Sequence, residues 1–470
     1  MSKYVRVGQE DPMSTLCRMV VGTRYEDLPS NVVNYAKHCI LETMAVTIGG
    51  SAMEGIPAVV NLVKEKGGKP ESVIPFYGGK VPASEAALAI GPMTRALDFA
   101  GGHGEGGHCS EYTVPALLAA TGLKDNVSGK EFITAFVVGQ ELLIRIGIAY
   151  KFVRECIPRG HQGGHYIFGC IASIGKLLGL SLDELENAQG IGRGMTQPHD
   201  GAMYDPPSLM VRMHHGFVCQ DAINACLLAK RGITGPRGEV SDVLTGPKGY
   251  LSFAQWETDP SAMTEGLGEK WEMLELLMKP YTSCGATHTS ADGILDQMAE
   301  HNFDVEDIDS IAIDASTLVW SVPCTPREKR WNPQTMPECQ FSLPYVVATA
   351  AHDKDFFIDS FTPEARARQD VRELMTRISA KEDTSLPPFA VRVNTTLKNG
   401  KKYSKEYIYP RGHYKKPFTE KELIDKFRKC VPYSAYKLDD ATVDSVIKAI
   451  LNLEKIDDVA GSLLDPLTPK

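Results

Sequence analysis

Four short stretches of the chain hold most of its reactive side chains. The first runs Ala96-Leu97-Asp98-Phe99-Ala100-Gly101-Gly102-His103-Gly104-Glu105-Gly106-Gly107-His108-Cys109-Ser110. It sets carboxylates and two imidazoles in a glycine-rich loop, where bare backbone lets a ligand come close. An Asp near a His can orient the ring and set its tautomer, as proton transfer requires. A solvated surface loop has the same composition, but loops held between rigid helices are where sites concentrate. The second stretch, Arg159-Gly160-His161-Gln162-Gly163-Gly164-His165-Tyr166, puts two more imidazoles ahead of an apolar helix predicted over 166–179. His161 and His165 have the i,i+4 spacing of a helical metal pair, yet Gly163-Gly164 opposes helix there. A polar helix start explains them equally well. The third, Arg212-Met213-His214-His215-Gly216, comes just before a helix predicted over 216–230, where capping and surface charge account for it. The fourth, Lys279-Pro280-Tyr281-Thr282-Ser283-Cys284-Gly285-Ala286-Thr287-His288, supplies an ammonium, a phenol, a thiol and an imidazole around a broken turn. Nothing nearby lowers the Cys284 pKa, so a small buried side chain is the simpler reading of the thiol.

These stretches must be positioned by a chain too long for one ordinary core, so two domains are expected. Net charge is −9, with no Lys/Arg cluster to neutralise phosphates, which speaks against a nucleic-acid partner. An anionic substrate would need positive charge local to its site. The 11 cysteines form no CxxC and fit a reducing compartment better than a disulfide framework. The start, MSKYVRVGQEDPM, has no apolar segment of a signal peptide, and no unbroken apolar run reaches membrane length. A cytoplasmic location without membrane contact is the expectation. No P-loop, strand-borne GxGxxG, HExxH, GxSxG or EF-hand loop is present, which removes nucleotide cofactors and leaves acid–base chemistry by His, Lys, Tyr and Asp.

The first half reads as successive helices. Val32, Val33, Ala36, Ile40, Leu41, Met44 and Ile48 recur at helical spacing and stop at Gly49-Gly50. Ser128 with Glu131, Ser181 with Glu184 and Thr419 with Glu422 form capping boxes. Pro115 suits the first position of a helix. After about residue 265 strands enter, at DSIAIDAST and as a hairpin turning at Asn399-Gly400. The fold class is therefore mainly α with an α+β second domain: helical body over 1–265, α+β insert over 266–412, and helical body again over 413–470.

In their order along the chain, these pieces resemble the MmgE/PrpD family, which includes 2-methylcitrate dehydratase, cis-aconitate decarboxylase and iminodisuccinate epimerase. The resemblance rests on MTRALDF at 93–99, His108 with Ser110 and Pro115, GKLLGL at 175–180, RMHHG at 212–216, AKRGITGP at 229–236, KPYTSCGATH at 279–288 and QFSLPYVVA at 340–348. It implies a large helical body, a smaller α+β lid, a site in the cleft between them, a homodimer and no metal. It carries the family's essential Asp and His onto Asp98 and His108. The second His falls on His161, with His165 competing. The lid Lys, His and Tyr fall on Lys279, His288 and Tyr345. His103, His165, Arg212, Tyr281 and Tyr345 are the expected substrate contacts. Where the family reads Asp-Phe-Asp-Asp-Thr, this chain has Asp98-Phe99-Ala100-Gly101-Gly102, and Val211 stands where a body Lys is expected. The substrate would differ accordingly.

The resulting expectation is a cofactor-independent lyase or isomerase that moves protons on a small di- or tricarboxylate. Lys279 and Arg212 would grip carboxylates, and His108, oriented by Asp98, would handle the proton, opposed by His161 or Tyr345. The alternatives are an epimerase or racemase, a metal-dependent hydrolase built from His103, Glu105, His108, His161 and His165, and a non-catalytic binding protein.

Overall fold

The computed structural model describes residues 11–157, 164–196, 208–237, 243–245 and 248–469. The N-terminal part is built from α1 (Pro12–Gly22), α2 (Ser30–Gly50), α3 (Ile56–Lys66), α4 (Ala83–Arg95), α5 (Ser110–Ala120), α6 (Gly129–Tyr150), α7 (Tyr166–Leu177), α8 (Leu182–Arg193) and α9 (Met210–Ala229). The capping boxes form as expected. Ser128 accepts from the Glu131 amide while Glu131 reaches back to the Ser128 amide, and Ser181–Glu184 and Thr419–Glu422 do the same. α6 is long and apolar enough to cross a membrane, but 94% of its apolar window is buried inside the protein. It packs against α7, α5, α2 and α1.

Close helix contacts depend on missing side chains. A Cβ on Gly91 of α4 would lie 2.7 Å from the Gly216 amide nitrogen of α9, so this crossing needs glycine on both sides. Two sequence expectations shift here. Pro115 does not open a helix; it lies inside α5, which begins at Ser110. Pro115 cannot donate the helical hydrogen bond to the Glu111 carbonyl; the Thr94 hydroxyl lies 2.9 Å from that oxygen and 2.6 Å from the Gly91 carbonyl, sharing its one hydrogen between them. Likewise α9 starts at Met210, so the RMHHG stretch is helical rather than a cap, with Arg212 and His215 buried.

Strands are short except in one sheet. β1 (Ser72–Val73) pairs with β2 (Lys80–Val81). β3 (Gly102–His103), β4 (Gly107–His108) and β5 (Leu276–Leu277) make a three-stranded patch in the order β4-β3-β5. The larger sheet is β7-β6-β8-β9, from β6 (Ile308–Ala315), β7 (Ile378–Glu382), β8 (Val391–Leu397) and β9 (Lys402–Tyr407). Along β8, Val391, Val393, Thr395 and Leu397 face inward and the residues between them are half-exposed. α10 (His288–His301) covers this face, with Gly293 against Val393 and the Gln297 amide 2.9 Å from the Val393 carbonyl. The helix Glu420–Cys430 then returns to pack on α2.

Candidate active site

The glycine-rich stretch is a tight hairpin, not an open loop, and it is zipped to the residues before Lys279. Gly102 pairs with His108 on one side and with Leu277 on the other. A Cβ at Gly101 would lie 2.1 Å from the Leu277 carbonyl oxygen, so only glycine lets these backbones meet. Asp98 leaves α4 in the left-handed region, φ 47°, which turns its side chain back across the helix end. Lys279 Nζ then lies 2.9 Å from both the Asp98 backbone oxygen and Oδ1. Arg95 Nη1 also donates to Oδ1. Burial opposes ionisation of Asp98, but Arg95, Lys279 and His108 outweigh it and hold the pKa down to about 2.

Arg95 continues the network to a residue the sequence reading passed over. Its Nη1 is 3.5 Å from Oε1 of Glu111, in the first turn of α5. That oxygen lies 2.7 Å from His108 Nδ1 and 2.8 Å from His215 Nε2. The expected orienting partner of His108 was Asp98; the structure supplies Glu111, because Asp98 is turned toward Arg95 and Lys279. Burial again opposes ionisation, yet His108, Arg95 and His215 hold the Glu111 carboxyl well below its ordinary range. Burial lowers the His108 pKa, Glu111 partly restores it, and Arg95 and Lys279 depress it further. The His108 side chain is 23% exposed while that of Glu111 is 0% exposed, so the imidazole is the reachable end of the network.

The other expected site residues divide. His288 sits beside the Asp98–Lys279 pair, fully buried, with Nε2 3.1 Å from the Ser283 carbonyl; burial and Lys279 push its pKa to about 3. Arg212 is buried with Nη1 on the Glu54 carbonyl and Nη2 3.5 Å from the Met336 sulfur. Burial lowers its pKa to about 10. Met336 opens a short helix ending at Gln340, whose amide donates to the Leu97 and Thr282 carbonyls on either side of the site. Tyr281 and Tyr345 were expected as substrate contacts, but their hydroxyls donate to Asp292 (2.8 Å) and the Ser360 carbonyl (2.7 Å), so both phenols are engaged within the protein. His165 is also a correction: it is fully buried, its Nε2 2.9 Å from the Gly106 carbonyl, beneath the hairpin rather than facing the cleft. His161 lies outside the described residues. Cys284 lies near Asp98 and Lys279, but burial raises its pKa to about 11, which rules against a resting thiolate.

The metal reading fares poorly on donor chemistry. Glu105 is paired with Arg154, and His108 and His165 are engaged as described. Among the described residues, one group with metal-like spacing is His103, Glu272 and Glu275. There His103 Nδ1 accepts the Glu105 and Gly106 amides at 3.1 and 2.9 Å. The proton of the neutral ring must then sit on Nε2, the only nitrogen facing the carboxylates, whereas a ligating nitrogen must be bare. Burial, with Lys270 and His413, also lowers the His103 pKa to about 3. His103 is thus a hairpin brace rather than a substrate contact.

One more missed residue closes the arrangement. Lys426 is buried against Glu42, with Nζ 3.0 Å from the Phe99 carbonyl and 2.9 Å from the Lys279 carbonyl. Its place on an amphipathic helix gave no hint of this. Arg95 lies inside the MTRALDF run and Glu111 just after the glycine-rich stretch, where nothing local marks either as part of a buried network.

Comparison with known proteins gives a consistent result. The MmgE/PrpD N-terminal domain model matches residues 14–261 and the MmgE/PrpD C-terminal domain model matches 281–453. A cis-aconitate decarboxylase-like protein of Aspergillus oryzae is 24% identical over 95% of this chain and 95% of its own. Cis-aconitate decarboxylase of Mus musculus is 24% identical over 94% of this chain and 90% of its own. The Homo sapiens enzyme of that name is 25% identical over 93% and 90%.

Proposed function

The chain belongs to the MmgE/PrpD family, and from that premise we propose that it is a lyase of the dehydratase or decarboxylase type, acting by proton transfer on a small di- or tricarboxylate. The observation that carries this reading is the continuous buried network Lys279–Asp98–Arg95–Glu111–His108, ending in one reachable imidazole. Relatives named as decarboxylases support a lyase over an epimerase or racemase, a metal-dependent hydrolase or a non-catalytic binding protein.

In this reading two of the three Lys279 donors are taken by Asp98 and the third grips a substrate carboxylate. Arg212, held by a carbonyl and a thioether, gains its counter-ion from a second carboxylate. His108 works at the carbon next to a carboxylate. It removes a proton as hydroxide leaves in a dehydration, or, entering the cycle as the imidazolium, gives its Nε2 proton to the carbanion left when CO₂ departs. The buried cations stabilise negative charge as it develops, in a site that excludes water. Ala100, Gly101 and Gly102 stand where the family pattern has two acidic residues and a hydroxyl, and this loss suits a less hydroxylated acid than citrate. No cofactor or metal enters these steps. A cytoplasmic homodimer completes the proposal; unpaired cysteines suit a reducing compartment.

The test is incubation with a panel of small di- and tricarboxylates in D₂O, followed by NMR. The reading expects one of two outcomes: loss of CO₂ with deuterium taken up by the product, or loss of water with the proton of the adjacent carbon released to solvent. Stereochemical inversion with exchange but no loss of a group would replace it with an epimerase. Inertness toward the whole panel would overturn it.

A further inference from the structure

We propose that Glu111 is the positioning residue of the proton-transfer step: it fixes His108 in the tautomer that offers a bare Nε2 to the cleft, and His215 shares the same carboxylate oxygen. This rests on the reading of His108 as the reacting imidazole. The argument is a count of protons. Glu111 is fully enclosed and its Oε2 has no hydrogen-bond partner among the described residues, so both imidazoles converge on Oε1. An ionised carboxylate can only accept hydrogen bonds. His108 Nδ1 at 2.7 Å and His215 Nε2 at 2.8 Å must therefore both carry hydrogen. In a neutral ring the opposite nitrogen is then bare: Nε2 in His108, Nδ1 in His215.

The two imidazoles are not equivalent. The His215 side chain is 1% exposed, and its Nδ1 is buried with no hydrogen-bond partner among the described residues. Its ring is stacked on Tyr112 at 3.8 Å between centroids, with Tyr166 stacked on Tyr112 at 4.3 Å. That pile holds His215 as a fixed donor to Glu111. His108 is partly exposed, so its bare nitrogen is the one a substrate can meet. When His108 takes up a proton, the imidazolium forms against an anion already in place, which stabilises it without reorganisation.

Other groups around His108 act in a known direction. Glu111 of α5 favours its charged form, and Arg95 of α4 and Lys279 beyond β5 disfavour it. Asp98 at the end of α4 interacts favourably with it, and His165 ahead of α7 repels it. His215 of α9 and Tyr166 of α7 face it with ring centroids 6.3 and 6.4 Å away. Glu111 is the anion in direct contact, so its removal leaves Arg95 and Lys279 opposed only by Asp98.

The test is ¹⁵N NMR of the histidine-labelled protein, with His108→Asn used to assign the His108 signals. The expected result is a protonated Nδ1 and a bare Nε2 for His108, with a titration midpoint that falls in Glu111→Gln. With a panel carboxylate that reacts, kcat of Glu111→Gln should fall by about 10²-fold or more at little change in KM. A merely structural role would leave the midpoint in place. A His108 with bare Nδ1, or an unmoved midpoint in a folded Glu111→Gln, overturns the proposal; if that variant does not fold, the tautomer in the unaltered protein decides. A fully active His108→Ala would instead overturn the reading of His108 as the reacting group and leave the tautomer measurement standing.

Discussion

Asp98 and Glu111 are both ionised and both buried, which a lone carboxylate avoids. Each is tolerated because cationic or hydrogen-bearing nitrogens surround it, and Arg95 serves both. The buried histidines follow the opposite logic. Burial holds His103 and His288 neutral down to about pH 3 and His165 down to about 4. In the unfolded chain they take up protons near pH 6.5, so the unfolded state gains protons that the folded state refuses. Stability should therefore fall as pH drops from about 6.5 toward 4, by about 1.4 kcal/mol per pH unit for each ring. Asp98 adds its own loss only below the ordinary carboxylate range, as pH falls toward 2. A thermal-unfolding series should show the midpoint declining through the upper window; a flat midpoint there would contradict the buried neutral rings. At this scale Asp98, His108 and Lys279 were legible because their motifs are local. Glu111, His215, Tyr281 and Tyr345 were not, since each side chain's partner is chosen by tertiary packing.

The element that matters most to the site is the patch β4-β3-β5. Strands of two residues have no periodicity to read, and a run of glycines reads as a loop. What betrays the patch is sterics: Gly101 must be bare for β3 to lie against β5. Gly101→Ala should cost about 1–3 kcal/mol and separate Asp98 from Lys279, so the melting midpoint and turnover fall together. Gly104→Ala, where a Cβ meets nothing within 4 Å, should change neither. Equal effects of the two substitutions on melting and activity would show that the zipper is not what aligns the site. By contrast the capping boxes and the Asn399-Gly400 hairpin were legible, because their signals lie within a few residues. β7 was not: Ile378–Glu382 is short and largely polar, and gains its place only by parallel pairing with β6.

Over the whole molecule, the site is assembled from four distant parts of the chain. The stretch from the end of α4 into α5 brings Asp98, His108 and Glu111, α9 brings His215, the segment after β5 brings Lys279, and the late helix Glu420–Cys430 brings Lys426, which bonds the carbonyls of Phe99 and Lys279 at once. The alternation of a helical first half with later strands was legible from periodicity and turn signals. The meeting of Asp98 with Lys279 was available only through the family resemblance, and that of Lys426 with them not at all, since no local signal encodes a contact across some 180 residues. The central claim is that this meeting makes one catalytic centre. Steady-state kinetics of His108→Ala and Lys279→Ala, each checked for an unchanged fold, test it most directly on the carboxylate that reacts. The account predicts that each loses about 10²-fold or more in kcat/KM. Turnover unchanged in both would contradict it.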